Sequence, residues 1–277
     1  MNIVILGATG NIGRVLYREF IKHGDNAICI PRIYGQRHSV GLGGYEGADV
    51  IINCTGNSFI GSEILAVTEF YNNLIFEYLT ESPDTIVISF SSGAVNLFDP
   101  RAVSPKDYYT IAKINAEAKH RASPYNMIDI RVYSMIDHIF KRDKPLFINE
   151  VIESLINKTT FKTNNEDMTR DYISAKDLFS LVLKCIAYRK NDVFEAYSLK
   201  PTSKFNILNE FQSKFGLVYE TSDYKIDNPY SGNKPDYVPV SEKAVKIGYI
   251  PTVTSLDNLV NETELILKGK PVVIDEI

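Results

Sequence analysis

Residues 7–13 read Gly-Ala-Thr-Gly-Asn-Ile-Gly, with glycines three apart, and no other stretch of the chain restricts its fold as strongly. They follow the β-branched run Asn2–Leu6 and precede apolar residues at helical spacing: Ile12, Val15, Leu16, Tyr17, Phe20 and Ile21. A second apolar run, Asn26–Ile30, follows the break at His23-Gly24-Asp25. Strand, glycine turn, helix and strand make one βαβ unit. In that context glycine lets the turn reach unusual dihedrals and lets a pyrophosphate approach the backbone, while the helix N-terminus supplies unpaired N–H donors. A bound dinucleotide is therefore expected, held by Gly7, Thr9, Gly10, Asn11, Ile12 and Gly13.

The remaining pattern extends this unit. Apolar runs at Ala48–Cys54, Thr85–Phe90 and Met127–Tyr133 predict further strands, and Ser62–Leu79, Ser104–Arg121 and Ala175–Tyr188 predict helices. The helix start at Ser104 is the clearest, with a capping serine, Pro105 at the first helical position and Asp107 three residues after the cap. Strands alternating with helices, without short hairpins, predict an α/β fold with a doubly wound parallel sheet of the Rossmann type. Beyond about residue 191 the pattern shortens and proline becomes frequent. We therefore expect a dinucleotide-binding domain from residues 1–136 and 171–190, and a small discontinuous substrate lobe from 137–170 and 191–277.

Composition narrows the partners. The chain has 277 residues, and its 30 Lys plus Arg against 34 Asp plus Glu give a formal charge of −4. No overall basic field favours nucleic acid or an anionic membrane, so any phosphate must be held by local placement. No stretch approaches the ~20 apolar residues of a membrane span, and the N-terminal run reads as a strand rather than a basic signal, so a cytoplasmic protein is expected. Cys29, Cys54 and Cys185 form no CxxC pair and lie in apolar stretches, which reads as buried free thiols without a metal. At the end of the second strand, where an acidic residue would bind the ribose of NAD, Pro31-Arg32 stand instead. A guanidinium there suits the 2′-phosphate of NADP, the alternative being a solvated loop charge.

Tyr109 and Lys113 share one face of the capped helix. An ammonium beside a phenol favours the phenolate, which predicts a lowered pKa for Tyr109 and suits it to pass a proton during an alcohol–ketone conversion. The strand before it delivers Ser91-Ser92 just past its end, and strand C-terminal ends line the ligand crevice of a parallel sheet. Ser92 is the better placed of the two to hold a substrate oxygen.

With GATGNIG, Ser91-Ser92-Gly93-Ala94-Val95 and Tyr109-Thr110-Ile111-Ala112-Lys113 in this order, the chain resembles the extended short-chain dehydrogenase/reductases. These are the nucleotide-sugar epimerases, dehydratases and ketoreductases. Thr169–Leu178 (TRDYISAKDL) and Lys243–Pro251 (KAVKIGYIP) resemble two later stretches of that family. The resemblance implies a catalytic triad of Ser92, Tyr109 and Lys113, with Lys113 also on the nicotinamide ribose. It implies that Cys54, Thr55 and Gly56 run along the adenosine half of the cofactor. Arg170 would meet the substrate's phosphates, unless it pairs internally with Asp171 or Asp177. Many members are homodimers built through a four-helix bundle, which the apolar faces of the helices at 62–79 and 104–121 permit.

Departures from the family pattern narrow the reaction. The acidic pair that dehydratases carry after the catalytic serine is Gly93-Ala94 here, so dehydration is not expected. The segment between the second strand and Ala48 is short, so a strand usual in the family is reduced or missing. His138 reads as a loop residue. Arg32 favours NADP, and NADP favours one-way reduction of a keto group on a nucleotide-activated deoxysugar. An epimerase with tightly bound NAD is the alternative; a non-catalytic NADP-binding sensor or assembly protein is a third, from another class.

Overall fold

In chain order the elements are β1 (Asn2–Leu6), α1 (Asn11–His23), β2 (Asn26–Ile30), β3 (Val50–Asn53), α2 (Glu63–Glu81), β4 (Ile86–Ser92), α3 (Tyr108–Ala122) and β5 (Met127–Val132). There follow β6 (Ser134–Met135), α4 (Phe147–Asn157), β7 (Phe161–Asn164), β8 (Thr169–Arg170), β9 (Tyr172–Ile173), α5 (Ala175–Tyr188) and β10 (Asp192–Glu195). The chain ends with β11 (Thr202–Ser203), α6 (Lys204–Phe215), β12 (Tyr219–Ser222), β13 (Asp236–Tyr237) and α7 (Ser255–Leu267). The structure is a computed structural model and describes residues 1–30, 33–34, 42–56, 61–223 and 236–269.

Six strands in the order β10-β5-β4-β3-β1-β2 form one parallel sheet. Successive residues of a strand point to opposite faces, so an unbroken apolar strand needs cover on both. Ile3, Ile5, Ile52, Ile88 and Ile130 meet Leu16 and Phe20 of α1 and Leu178 and Leu181 of α5. On the other face Val4, Leu6, Ile51 and Val87 meet Val67, Tyr71 and Ile75 of α2. The sheet is thus the middle of a three-layer sandwich. A separate apolar cluster, including Ile148, Val151, Phe161, Ile207, Phe211 and Leu259, builds the smaller lobe.

The doubly wound parallel sheet agrees with the sequence reading. No strand is present between Ile30 and Val50 among the described residues, which leaves β2 at the sheet edge. β10 is the opposite edge strand, paired in parallel with β5 although it lies beyond residue 190. Phe194 explains its position, since its buried ring joins the core under α5. The capping box before α3 forms as expected: Ser104 Oγ accepts Lys106 N–H at 3.2 Å, and Asp107 accepts Ser104 N–H at 2.7 Å. Pro105–Asp107 make a single 3-10 turn, so the α-helix begins at Tyr108. No described helix is long and apolar enough to cross a membrane.

Candidate active site

The glycine turn is built by close packing. Gly7 has φ +75°, and a Cβ there would lie 3.0 Å from the Cys54 carbonyl carbon and oxygen. A Cβ on Gly13 would stand 2.4 Å from Gly7 O, so the first turn of α1 lies directly on the end of β1. Gly10 is the N-cap, no side chain caps the helix, and no acidic residue occupies its first turn. The first backbone bond into α1 runs from Arg14 N–H to Gly10 O. The N–H groups of Asn11, Ile12 and Gly13 therefore have no helical partner. That cradle fits a dinucleotide pyrophosphate. Asn11 turns its side chain elsewhere, its Oδ1 accepting Lys141 N–H at 3.1 Å. Gly13→Ala is expected to lower stability by about 1–3 kcal/mol and to abolish dinucleotide binding. Thermal melts with and without the cofactor read both effects, and a variant that melts and binds like the parent would refute the packing account.

The glycine turn adjoins the group formed by Ser92, Tyr109 and Lys113. Gly7 rests on the backbone of Cys54, and the next carbonyl, Thr55 O, lies 3.5 Å from Lys113 Nζ. The same ammonium donates to Phe90 O at 2.7 Å. Gly56 takes φ +104°, and a Cβ there would lie 3.6 Å from Lys113 Nζ, so Gly56 lines the lysine's berth. The carbonyl ends of β3 and β4 thus fix Lys113, whose ammonium sits 5.9 Å from the centroid of the Tyr109 ring one turn earlier. β4 continues two residues past its expected end and carries Ser91 and Ser92 as strand residues. Ser92 is a close neighbour of Tyr109 and favours its ionised form. Ser91 Oγ points away, donating to Glu117 at 2.5 Å, so of the two serines Ser92 is the one beside Tyr109.

One electrostatic expectation is corrected. Burial is the largest influence on Tyr109 and pushes its pKa up to about 12, with Tyr237 adding to the rise and Ser92 opposing it. Burial likewise pulls Lys113 down to about 8, against the attraction of Asp129, Cys54 and Glu117. The phenol is not depressed by its neighbour, because Lys113 spends its hydrogen bonds on backbone carbonyls and both groups are removed from water.

Arg170 is buried on β8, and Nη1 donates to Thr169 O at 2.8 Å. The two carboxylates weighed as internal partners have other roles. Asp171 accepts Ser198 N–H and O–H at 2.9 and 3.1 Å, and Asp177 accepts Thr252 N–H at 3.0 Å and its hydroxyl at 2.7 Å. Burial raises Asp171 to about 6, against the two Ser198 bonds. A raised folded pKa means the native chain holds that proton more tightly than the unfolded one. Stability therefore falls as pH rises from about 4 to about 6. Asp171→Asn is expected to remove that slope, read from urea midpoints across the same range; a slope that persists would locate it elsewhere.

Arg32 lies outside the described residues. Residues the sequence did not point to complete the site. Tyr237 of β13 brings its hydroxyl 3.0 Å from Ser92 Oγ, and its ring centroid is 5.0 Å from that of Tyr133. The Tyr133 ring lies on Gly93, where a Cβ would be 2.3 Å from its carbons. No side chain fits at the position where dehydratases would begin their acidic pair. His138 bonds Glu262 of α7 at 2.8 Å. The thiols of Cys29, Cys54 and Cys185 are free and raised in pKa by burial. Among the described residues Asp137, His138 and Glu262 are close enough to share an ion, but both Asp137 oxygens accept Arg18 N–H groups at 3.0 and 2.7 Å.

No family model and no curated protein sequence matches the chain. Solved structures do match it along nearly its whole length. A UDP-glucuronic acid 4-epimerase from Bacillus cereus, in complex with UDP-glucuronic acid and NAD, superposes with a TM-score of 0.80 at 16% identity, covering 98% of this chain and 100% of that one. A dTDP-glucose 4,6-dehydratase from Bacillus anthracis in complex with NAD gives 0.77 at 13% identity, covering 97% of each chain. A UDP-glucose 4-epimerase from Thermotoga maritima with UDP-glucose gives 0.75 at 16%, covering 97% and 99%. The chain has the fold of these nucleotide-sugar enzymes.

Proposed function

We propose that the protein is an NAD-dependent epimerase of a nucleotide-activated sugar. The observation that carries this reading is the single site in which Ser92, Tyr109 and Lys113 adjoin the glycine cradle through Thr55 and Gly56. Its support against the sequence-based preference for an NADPH-dependent ketoreductase is the company of the fold, since the matching epimerases carry NAD or a UDP-sugar. Dehydration is disfavoured by the Tyr133 ring against Gly93.

When bound, the dinucleotide supplies the hydride acceptor and donor for the sugar carbon. The first-turn N–H groups of α1 would hold its pyrophosphate, and Lys113 would hold its nicotinamide ribose hydroxyls. Tyr109 Oη would take the proton of the reacting hydroxyl and return it to the same oxygen. Ser92 donates a hydrogen bond to that oxygen throughout, and Arg170 meets the diphosphate of the substrate.

The test offers UDP-glucose, UDP-glucuronic acid and UDP-N-acetylglucosamine to the purified protein. Epimer formation without net change in NADH, and a larger thermal shift with NAD than with NADP, are the expected results. Stoichiometric NADPH oxidation on a keto-deoxysugar nucleotide, without an epimer, would restore the ketoreductase reading that Arg32 favours.

A further inference from the structure

A serine hydroxyl has one proton to donate and two lone pairs to accept with. Ser92 accepts Ala94 N–H at 3.2 Å, and its oxygen lies 3.0 Å from the Tyr237 phenol oxygen. If Tyr237 donates, both acceptor positions are filled and the only remaining valence of Ser92 is its own proton. That proton has one direction left, towards Tyr109 and the substrate oxygen beside it.

The fold holds Tyr237 in this position from three sides. β13 pairs in parallel with β8, setting Tyr237 opposite Arg170. The Tyr133 ring packs against it at a centroid distance of 5.0 Å. Val240 and Ser241, just after it in the chain, donate both N–H groups to Glu195 Oε2 at 2.6 and 3.0 Å. Glu195 belongs to β10 and its other oxygen accepts from Asn96, in the turn after Ser92. The same carboxylate thus ties the segment after Tyr237 to the turn that follows Ser92.

We propose that Tyr237 is a positioning residue that makes Ser92 an obligate hydrogen-bond donor, its one proton directed at Tyr109 in the free protein and at the reacting oxygen once substrate is bound. Ser92 then favours the ionised phenol and loses the option of accepting the phenol's proton. Other charged or titratable groups face this cluster: Lys113 from α3, Arg170 from β8 and Tyr133 after β5. Burial raises the pKa of Tyr237, which keeps its phenol protonated and able to donate.

The role in turnover rests on the hydride-transfer reading, whereas the effect on Tyr109 does not. Two measurements keep them apart. In the first, 3-fluorotyrosine is placed at position 109 of the cofactor-free protein and its fluorine shift is followed against pH. Tyr237 repels the Tyr109 phenolate only when it is itself ionised, and burial holds it protonated. Tyr237→Phe is therefore expected to act through Ser92 and to move the midpoint upward by roughly half a unit to one unit, the range of one net hydrogen bond. An unmoved or lowered midpoint overturns the proposal whatever the substrate proves to be. In the second, kcat and KM are measured for Tyr237→Phe, Ser92→Ala and the double variant. Tyr237→Phe is expected to lose about five- to tenfold in kcat with KM little changed, and to lose nothing further in the Ser92→Ala background. Additive losses, or a faster Tyr237→Phe, would show a separate role or a blocking one. Should Tyr237→Phe fail to fold, 3-fluorotyrosine at position 237 is the second variant. As a stronger donor it must shift the ionisation of Tyr109, followed by the carbon-13 resonance of its ring carbon Cζ, downward; no shift or an upward one overturns the proposal.

Discussion

Tyr109→Phe is expected to lower turnover by about 10²- to 10⁴-fold, the usual loss when a positioned acid–base group is removed. The substitution deletes one oxygen and keeps the ring. Lys113 stays fixed by Phe90 O and Thr55 O, neither of which depends on the phenol. The glycine cradle is likewise built from backbone contacts of Gly7, Gly13 and Cys54. Cofactor affinity and melting temperature should therefore stay close to those of the parent, and the loss should appear in kcat. Substrate turnover by Tyr109→Phe within about tenfold of the parent would exclude Tyr109 as the proton-transfer group. An unchanged cofactor shift with no turnover in either protein would favour the sensor reading instead.

The parts of this site that were legible in sequence are those set by local chemistry. The glycine spacing between a strand and a helix points to a turn with unusual dihedrals, and Gly7 has φ +75°. Ser104, Pro105 and Asp107 mark the start of α3 because a capping box is completed within four residues. With that start known, Tyr109 and Lys113 fall on one face. The contact between Tyr237 and Ser92 joins residues 145 positions apart, and no local pattern distinguishes Tyr237 from the other 16 tyrosines. The ionisation of Tyr109 departs from the sequence expectation for a related reason. Proximity of a lysine is visible in a helix repeat, but the burial that outweighs it is created by tertiary packing. Arg170 shows the same limit, since the commitment of Asp171 to Ser198 and of Asp177 to Thr252 depends on segments far along the chain.

Arg131→Leu is expected to destabilise the fold by about 3–5 kcal/mol, the cost of leaving partnered buried charges without their counter-ion. Arg131 sits on β5 opposite Ser91 of β4. Its Nε and Nη2 donate to the two oxygens of Glu117 at 2.9 and 2.5 Å, and Nη1 donates to Asn96 Oδ1 at 2.6 Å. Glu195 lies 3.7 Å from Nη1, and both carboxylates are shielded, with side-chain exposures of 10% for Glu117 and 5% for Glu195. Leucine fills much of the volume but none of the hydrogen bonds, so two carboxylates remain against the sheet edge. The loss should appear as a fall of roughly 10 °C in melting temperature, at the few degrees per kcal/mol usual for a chain of this size. Pairing the change with Glu117→Leu removes one orphaned charge, so the double variant should be more stable than Arg131→Leu alone. The network also reaches the active site, since Glu195 holds Val240 and Ser241 behind Tyr237. Arg131→Leu should therefore lose kcat even at temperatures where it is fully folded, and a variant that melts within 1–2 °C of the parent would show that the cluster contributes no net stability.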